Sequence, residues 1–396
     1  MTNVLKQISV NLGVTGYDDS SLLIGIADYY GVNTAISTSL MGDILDAVGG
    51  NAATSNNYIQ DIVIALGGPS TSLNWIEEWE AITAGHVYFT TTWTTTAPNE
   101  TITLPYDAAG TYSGSIDWGD SNTDVNSFAN NTHTYAVAGT YTVQIIGDCI
   151  GWNFGAYSGS TYITSVVHWG QLQLGADIGI YFKSCPNLNL SLVSDVLDLT
   201  GITSFSSMFE SSGITTINNI NLWNTSNVTQ MKLMFRGATA FNQALSFDTS
   251  SVADMSRMFQ NATSFNQSLS TFNTSNVTNM NSMFANASHF NKSLNTFNTS
   301  NVTNMGGMFA NATAFNRNIG SWNVKNVTGF KNFMLGKTPA TFSTANLDAI
   351  YNGWSASGVQ ANCQISFSTA KYTVAASAGR AILTGVKFWA ITDGGL

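Results

Sequence analysis

His86, His133, His168 and His289 are the side chains best suited to move a proton or hold a metal, and each sits in a different segment of the chain. None has a partner at metal-ligand spacing, and no nucleophile motif such as G-x-S-x-G accompanies them. The tripeptide Gly336-Lys337-Thr338 has the ending of a phosphate loop, but that motif needs Gly five residues before Gly336, and position 331 is Lys. Cys149, Cys185 and Cys363 are odd in number and far apart, which suits buried structural thiols and neither a disulfide framework nor a zinc site. One cluster offers metal chemistry. In "DWGDSNTD", Asp117, Asp120, Asn122 and Asp124 alternate as oxygen donors that could hold Ca²⁺. The stretch lacks the Gly and distal Glu of an EF-hand loop, so a hairpin turn with solvated carboxylates competes with that reading. Between Ile202 and Leu335 only Glu210, Asp248 and Asp254 are acidic, which argues against a two-carboxylate glycosidase site there. The catalytic set is read as empty, no cofactor is expected, and the chain is expected not to be an enzyme.

The elements that would position these residues begin with composition. At 396 residues the chain should hold two to four domains. Charged residues make up 9% of it, against roughly 25% in an ordinary soluble protein, and Asn, Ser, Thr and Gly take their place. The net charge of -10 is uneven, since the first 150 residues hold 15 of the 23 acidic residues and a single basic one, Lys6. Neither that acidic part nor the mildly basic remainder has a Lys/Arg patch suited to nucleic acid. No apolar run reaches the ~18 residues needed to cross a bilayer, so no membrane insertion is expected. Met1 to Asn11 has one Lys, no apolar block and no small-residue cleavage site, and is read as lacking a secretory start.

Residues 1–85 carry a short repeat. "SLLIGIADYYG", "SLMGDILDAVGG" and "NYIQDIVIALGG" end at Gly31, Gly49 and Gly67, 18 residues apart, each reading as a short amphipathic helix stopped by Gly. Such helices need a partner to bury Leu22, Ile26, Ile44, Leu45, Ile62 and Leu66. A docking or oligomerisation segment and a self-contained helical cap are the two readings.

Residues 86–147 change to period two, with "HVYFTTTWTTT", "ETITLPY", "YSGSIDWGD" and "NTHTYAVAGTYTVQIIG" as short strands at the spacing of an antiparallel sandwich. Residues 148–201 form a connector and the N-terminal cap of the repeats, with "VVHWGQLQL" as a strand.

From 202 to 338 the chain repeats itself. Met-Phe pairs start at Met208, Met234, Met258, Met283 and Met308, and a swapped Phe333-Met334 continues the series. Val228, Val252, Val277, Val302 and Val327 keep the same step of about 25, as do Phe235, Phe259, Phe284 and Phe309. One such unit cannot bury its own apolar face, whereas a stack lets each coil cover the next. The Val and Phe positions are therefore expected to form an internal spine, with "NTSN" turns and exposed Thr and Ser outside. "SNVTNM" should be a strand and "MFANASHFN" a short helical turn. Residues 339–396, with "NLDAIYNGWSASG", "CQISFS", "VAASAGRAILTG" and "KFWAITDGG", should form an α/β cap over the last coil. Tyr351, Trp354, Tyr372 and Trp389 in this tail could stack on glycans or anchor a protein contact, or else pack inside.

"DWGD" and "HTYAVAGTYTVQI" resemble the polycystic-kidney-disease (PKD) type immunoglobulin-like domain, which implies a spacer or adhesion module. The repeat resembles the leucine-rich-repeat-like units of BspA-type and mycoplasmal-lipoprotein-type bacterial surface proteins, which implies surface display and adhesion. The order of sandwich, repeats and tail also resembles virion-associated proteins of bacteriophages.

The expected fold is therefore multidomain and mainly β: a short helical N-terminal segment, a PKD-like immunoglobulin-type β-sandwich, and a leucine-rich-repeat-like solenoid with an α/β C-terminal cap. The expected role is a non-enzymatic structural protein on a bacteriophage virion, in a head or tail fibre, decoration or adsorption protein. Its N-terminus would dock on other virion proteins and its repeats would bind a host-surface glycan or protein. A homo-oligomer is expected, with a trimer favoured. The alternative is a BspA-like adhesin on the bacterial cell surface.

Overall fold

The computed structural model describes residues 88–156, 158–175 and 179–396. Leu22, Ile26, Ile44, Leu45, Ile62 and Leu66 lie outside the described residues. Strand outweighs helix, so the described chain is mainly β. It forms two compact units, one of 88–103, 108–150 and 167–172, the other of 104–107, 151–166 and 173–396.

In the first unit, alternation of large apolar or Thr side chains with polar ones produces short strands. They are β1 (Phe89–Thr95), β2 (Glu100–Thr103), β3 (Tyr106–Tyr112, whose first two residues are counted in the other unit), β4 (Ser115–Asp117), β5 (Thr123–Val125), β6 (Thr132–Tyr135) and β7 (Gly139–Ile146). β5, β4, β7 and β1 lie side by side in that order. β1 and β7 are antiparallel, with Phe89 opposite Ile145 and Trp93 opposite Tyr141. β2 and β6 make a separate antiparallel pair, with Glu100 opposite Tyr135. Trp93, Trp118, Tyr135 and Val143 are fully buried. Tyr135 stacks on Tyr141 at 3.7 Å and donates its hydroxyl to the Trp118 carbonyl, 2.8 Å away, tying the two strand pairs together. β8 (Cys149–Trp152), β9 (Ile163–His168) and β10 (Leu172–Gln173) come next along the chain.

The repeats of the second unit stack in parallel. Single bridges join Ser204 to Gln230, then Asp254, Asn279, Asn304 and Gly329, one per coil. "SNVTNM" thus contributes one paired position where a longer strand is expected, and "MFANASHFN" forms turns with no helix. A pair of left-handed residues in each coil breaks the helical turn and stops the chain running on as a strand beyond "SNVTNM". One column runs Ser207, Leu233, Arg257, Ser282, Gly307 and Asn332, the other Ser211, Gly237, Asn261, Asn286, Asn311 and Gly336, all at positive φ. Each such residue reverses the local bend, so neither a strand nor a helix can propagate through it.

Backbone bonds then run from coil to coil: Met280 N–H to Asn304 O at 2.9 Å, Phe284 N–H to Met308 O at 2.9 Å, and Thr303 N–H to Thr278 O at 2.8 Å. The Met-Phe phenylalanines stack in register, Phe235 on Phe259 at 5.7 Å, Phe259 on Phe284 at 5.8 Å and Phe284 on Phe309 at 5.7 Å, with planes within 6° of parallel. A second column, Phe241, Phe265, Phe290 and Phe315, stacks at 5.9 to 6.1 Å beside it.

The tail holds α1 (Thr344–Ser355), β11 (Gln364–Ser366), α2 (Ser377–Ala381) and β12 (Ala390–Thr392). β11 and β12 pair in parallel. A 3₁₀ turn, Val374–Ala376, precedes α2, and a π turn, Ile382–Val386, continues it. Ser343 begins α1 by accepting from the Asn346 N–H at 3.3 Å.

Candidate functional site

The surface of the stack is set by what its polar side chains do internally. Thr225, Thr249, Thr274 and Thr299 are buried, and each donates its hydroxyl to a carbonyl of the following coil: Asp248 O, Asn273 O and Asn298 O at 3.0 Å, and Asn323 O at 2.9 Å. These are the threonines of the "NTS" and "DTS" turns, so this Thr column lies inside, against the expectation that the turn threonines stack outside. The coil turns back at this corner and leaves a carbonyl outside the coil-to-coil backbone bonds, and a Thr hydroxyl satisfies it.

A second set faces outward. Exposed Thr278, Thr303 and Thr328 donate back to Ala253 O, Thr278 O and Thr303 O at 3.2, 3.1 and 3.4 Å. Exposed Asn276, Asn301 and Asn326 donate Nδ2 to Ser250 O, Ser275 O and Ser300 O at 2.6 to 2.7 Å. In both columns one hydrogen is turned into the stack: the Thr hydroxyl oxygens remain to accept from outside, and each Asn keeps Oδ1 as an acceptor beside its second Nδ2 hydrogen. The result is a row of acceptors repeated once per coil.

A third column hands the stack to the tail. Asn242, Asn266 and Asn291 each accept, through Oδ1, the N–H of the equivalent Asn in the next coil at 2.9 to 3.0 Å. Asn316 Oδ1 accepts from the Ser343 N–H at 3.0 Å and Asn346 Nδ2 at 2.7 Å, so the start of α1 occupies the next coil's place.

Charge is used locally. Buried Glu210 joins Lys183, at 3.3 Å, and Arg236 across three successive coils. Burial pushes its carboxyl up, but hydrogen bonds from Ser207, Arg236 and Lys183 outweigh this and hold it below the usual range.

Lys337 is 1% exposed. Its ammonium donates to Ala312 O, to Phe315 O at 2.6 Å and to Thr313 O at 3.3 Å, and lies 6.0 Å from the centre of the Phe315 ring. Burial lowers its pKa to about 8. In the sequence this lysine stands out only as the end of a failed phosphate motif. The signal that could have found it is its place directly after Gly336, the last station of a left-handed column, where the exit from the repeats begins.

The spine positions Val228, Val252, Val277, Val302, Val327, Phe235, Phe259, Phe284 and Phe309 are all buried. The tail aromatics correct an expectation: Tyr351 and Trp354 are 0% exposed and Trp389 4%. Phe330 sits 5.3 Å from Trp354 and 5.2 Å from Trp389, and Tyr351 sits 5.7 Å from Phe367. These rings cover the apolar end of the last repeat, so they are not surface contacts. Tyr372 is half-buried beneath the Arg380 guanidinium, 5.3 Å from its ring centre.

The acidic turn commits its carboxylates to local hydrogen bonds. Asp117 Oδ1 accepts from the Gly119 N–H at 2.8 Å, and Asp124 Oδ2 accepts from Trp118 Nε1 at 2.9 Å. Asp120 pairs with His133 Nε2 at 2.8 Å and accepts from the N–H and Nδ2 of Asn122. Burial raises the Asp120 carboxyl, and the His133 and Asn122 hydrogen bonds more than reverse it. Asp117, Asp120, Asn122 and Asp124 therefore form a hydrogen-bonded turn, and among the described residues no three His, Cys, Asp or Glu converge as a metal set. His289 is exposed, its Nδ1 2.7 Å from Thr263 O.

The repeats match the family described as Mycoplasma protein of unknown function, DUF285, over residues 176–270 and again over 244–348. This supports reading them as a BspA-like surface repeat. No curated protein and no solved structure matches the chain.

Proposed function

We propose that the chain is a non-enzymatic surface adhesin of the BspA-like kind, which holds a host-surface glycan or protein against its repeats. The observation that carries this is the row of outward polar groups at Thr278, Thr303, Thr328, Asn276, Asn301 and Asn326, each tied to the stack by one donated hydrogen bond and left with an oxygen to accept from outside. A regular row of lone pairs suits a ligand rich in donors, such as the hydroxyls of a polysaccharide, and the rigid stack spares it the entropy of ordering each side chain on binding. The match over 176–348 supports display on a cell surface.

In this reading residues 202–338 are a leucine-rich-repeat-like solenoid, 339–396 its α/β cap, 86–147 a PKD-like immunoglobulin-type module, and 1–85 a docking or oligomerisation segment. A second reading, favoured by the order of sandwich, repeats and tail, displays the same adhesin on a bacteriophage virion, docked to other virion proteins as a trimer. The binding role is tested by measuring retention of host cells, and of their released surface polysaccharide, on immobilised protein. Replacing Thr278, Thr303 and Thr328 by Ala should lower retention about tenfold, on the order of 1.4 kcal/mol, with the circular-dichroism spectrum unchanged. Equal retention by the triple variant, or release of reducing sugar from the polysaccharide, would sink the reading.

A further inference from the structure

The helical run 374–386 buries one face and leaves the other bare. Ala376, Gly379 and Leu383 face inward, and Gly379 lies so close to Tyr351 that an added Cβ would meet its carbonyl oxygen at 2.6 Å. Val374, Ala378, Ile382 and Val386, each four residues apart, are turned outward, and Phe388 comes two residues later. Val374 is 80% exposed, Ile382 40%, Val386 63% and Phe388 66%.

Two backbone irregularities coincide with this ridge. Ile382 and Val386 lie on the π turn, a form that recurs at functional sites. Phe388 is held at φ 56°, a left-handed conformation that is costly for a bulky residue. The strain does not bury the ring; it displays it, beside the buried Trp389.

Lys371 and Lys387 precede and follow the ridge in the chain. The Lys371 ammonium donates one hydrogen to Leu396 O at 2.8 Å, which leaves it two more. The carboxylates of the tail are turned away: Asp348 accepts the Thr373 N–H at 2.8 Å and its hydroxyl at 2.5 Å, and Asp393 is held by Arg380 at 2.7 Å and by Tyr351. An apolar ridge with cations at both ends is the pattern of a segment that rests in a lipid interface. A second copy fits less well. Five side chains fall far short of the roughly 20–30 residues a side of a standard protein interface, and an antiparallel pairing would set Lys371 of one copy against Lys387 of the other.

We propose that the outer face of this tail docks peripherally on an anionic lipid surface, with Val374, Ile382, Val386 and Phe388 entering the headgroup boundary and Lys371 and Lys387 meeting the phosphates. Among the described residues no helix is long and apolar enough to cross a membrane, so the contact lies on the bilayer.

The test is flotation of the full chain with phosphatidylglycerol-containing vesicles and with pure phosphatidylcholine vesicles at low ionic strength. Co-flotation is expected with the anionic vesicles and should fall about tenfold on adding salt beyond the screening range. Val386→Asp with Phe388→Asp should abolish it, and Lys371→Glu with Lys387→Glu should remove the preference for anionic lipid. Val386 and Phe388 are exposed and Asp tolerates the left-handed region better than Phe, so the aspartate variant should unfold at no lower temperature than the wild type. Absence of co-flotation, or equal co-flotation by the wild type and the aspartate variant, overturns the proposal. So does a concentration-dependent dimer in sedimentation, formed without vesicles and lost in the aspartate variant, because that assigns the ridge to a second copy.

Discussion

Thr299 donates its hydroxyl to Asn323 O at 2.9 Å, and the residue after that carbonyl, at the next station of the same buried column, is Val324. Thr recurs wherever a further coil supplies an acceptor and gives way to its apolar isostere in the last coil. Thr274→Val should therefore cost about 1–2 kcal/mol, because the Asn298 carbonyl loses a buried donor. Val324→Thr should also destabilise, by burying a hydroxyl at a station with no coil beyond it. Equilibrium denaturation of both variants checks the pair, and a gain in either would contradict the column.

Lys337 gives the stack a pH signature of definite sign. Its pKa is lowered to about 8 in the folded chain, while an unfolded lysine titrates at about 10.4. Between those values the unfolded chain binds the extra proton, so this group's contribution to stability rises with pH through that window. Lys337→Met should remove that rise while costing about 1–3 kcal/mol at neutral pH, since Ala312 O, Thr313 O and Phe315 O lose their donor. Denaturation midpoints of wild type and variant, compared from pH 7 to pH 10, would refute this if the two curves ran parallel.

Arg257 is exposed and held at φ 57°, in a column whose later members are Ser282, Gly307 and Asn332. Asn tolerates the left-handed region better than Arg, so Arg257→Asn should stabilise by up to about 1 kcal/mol. Arg257→Val should destabilise, because a β-branched side chain fits that conformation worst. A melting temperature that falls for Asn as much as for Val would count against strain at this position.

Phe284 lies between Phe259 and Phe309, at 5.8 and 5.7 Å, with Phe290 stacked on its face at 4.0 Å. Phe284→Ala should cost about 3–5 kcal/mol. Since each coil is covered only by its neighbours, the gap should also split unfolding of the repeats into two transitions. A single transition of unchanged steepness would show that the coils are coupled by more than the ring column.

The 25-residue period and the mainly β character are legible in the sequence because Val, Met and Phe recur at fixed positions, and spacing alone implies that they share a face. Which threonine of "NTSNVT" faces inward is not legible. Thr274 and Thr278 are chemically identical and four residues apart, and the turn between them, closed by Val277 N–H to Thr274 O at 3.1 Å, sets one inside and the other outside. Lys337 is hidden for a different reason: a charge in a polar stretch reads as solvated, and only the converging carbonyls of 312, 313 and 315 reveal a cradle. The tail rings Tyr351, Trp354 and Trp389 are ambiguous in sequence because large aromatics serve cores and binding faces alike.

The coils 272–296 and 297–321 meet their neighbours through equivalent bonds, down to Thr274 and Thr299, Asn276 and Asn301, and Phe284 and Phe309. Every junction between them is interchangeable. Unequal recombination in the gene could drop or duplicate one whole unit and restore the same joint, leaving the ends untouched. The extent of the molecule is thereby a heritable quantity that changes in steps of one coil without any new contact having to be invented.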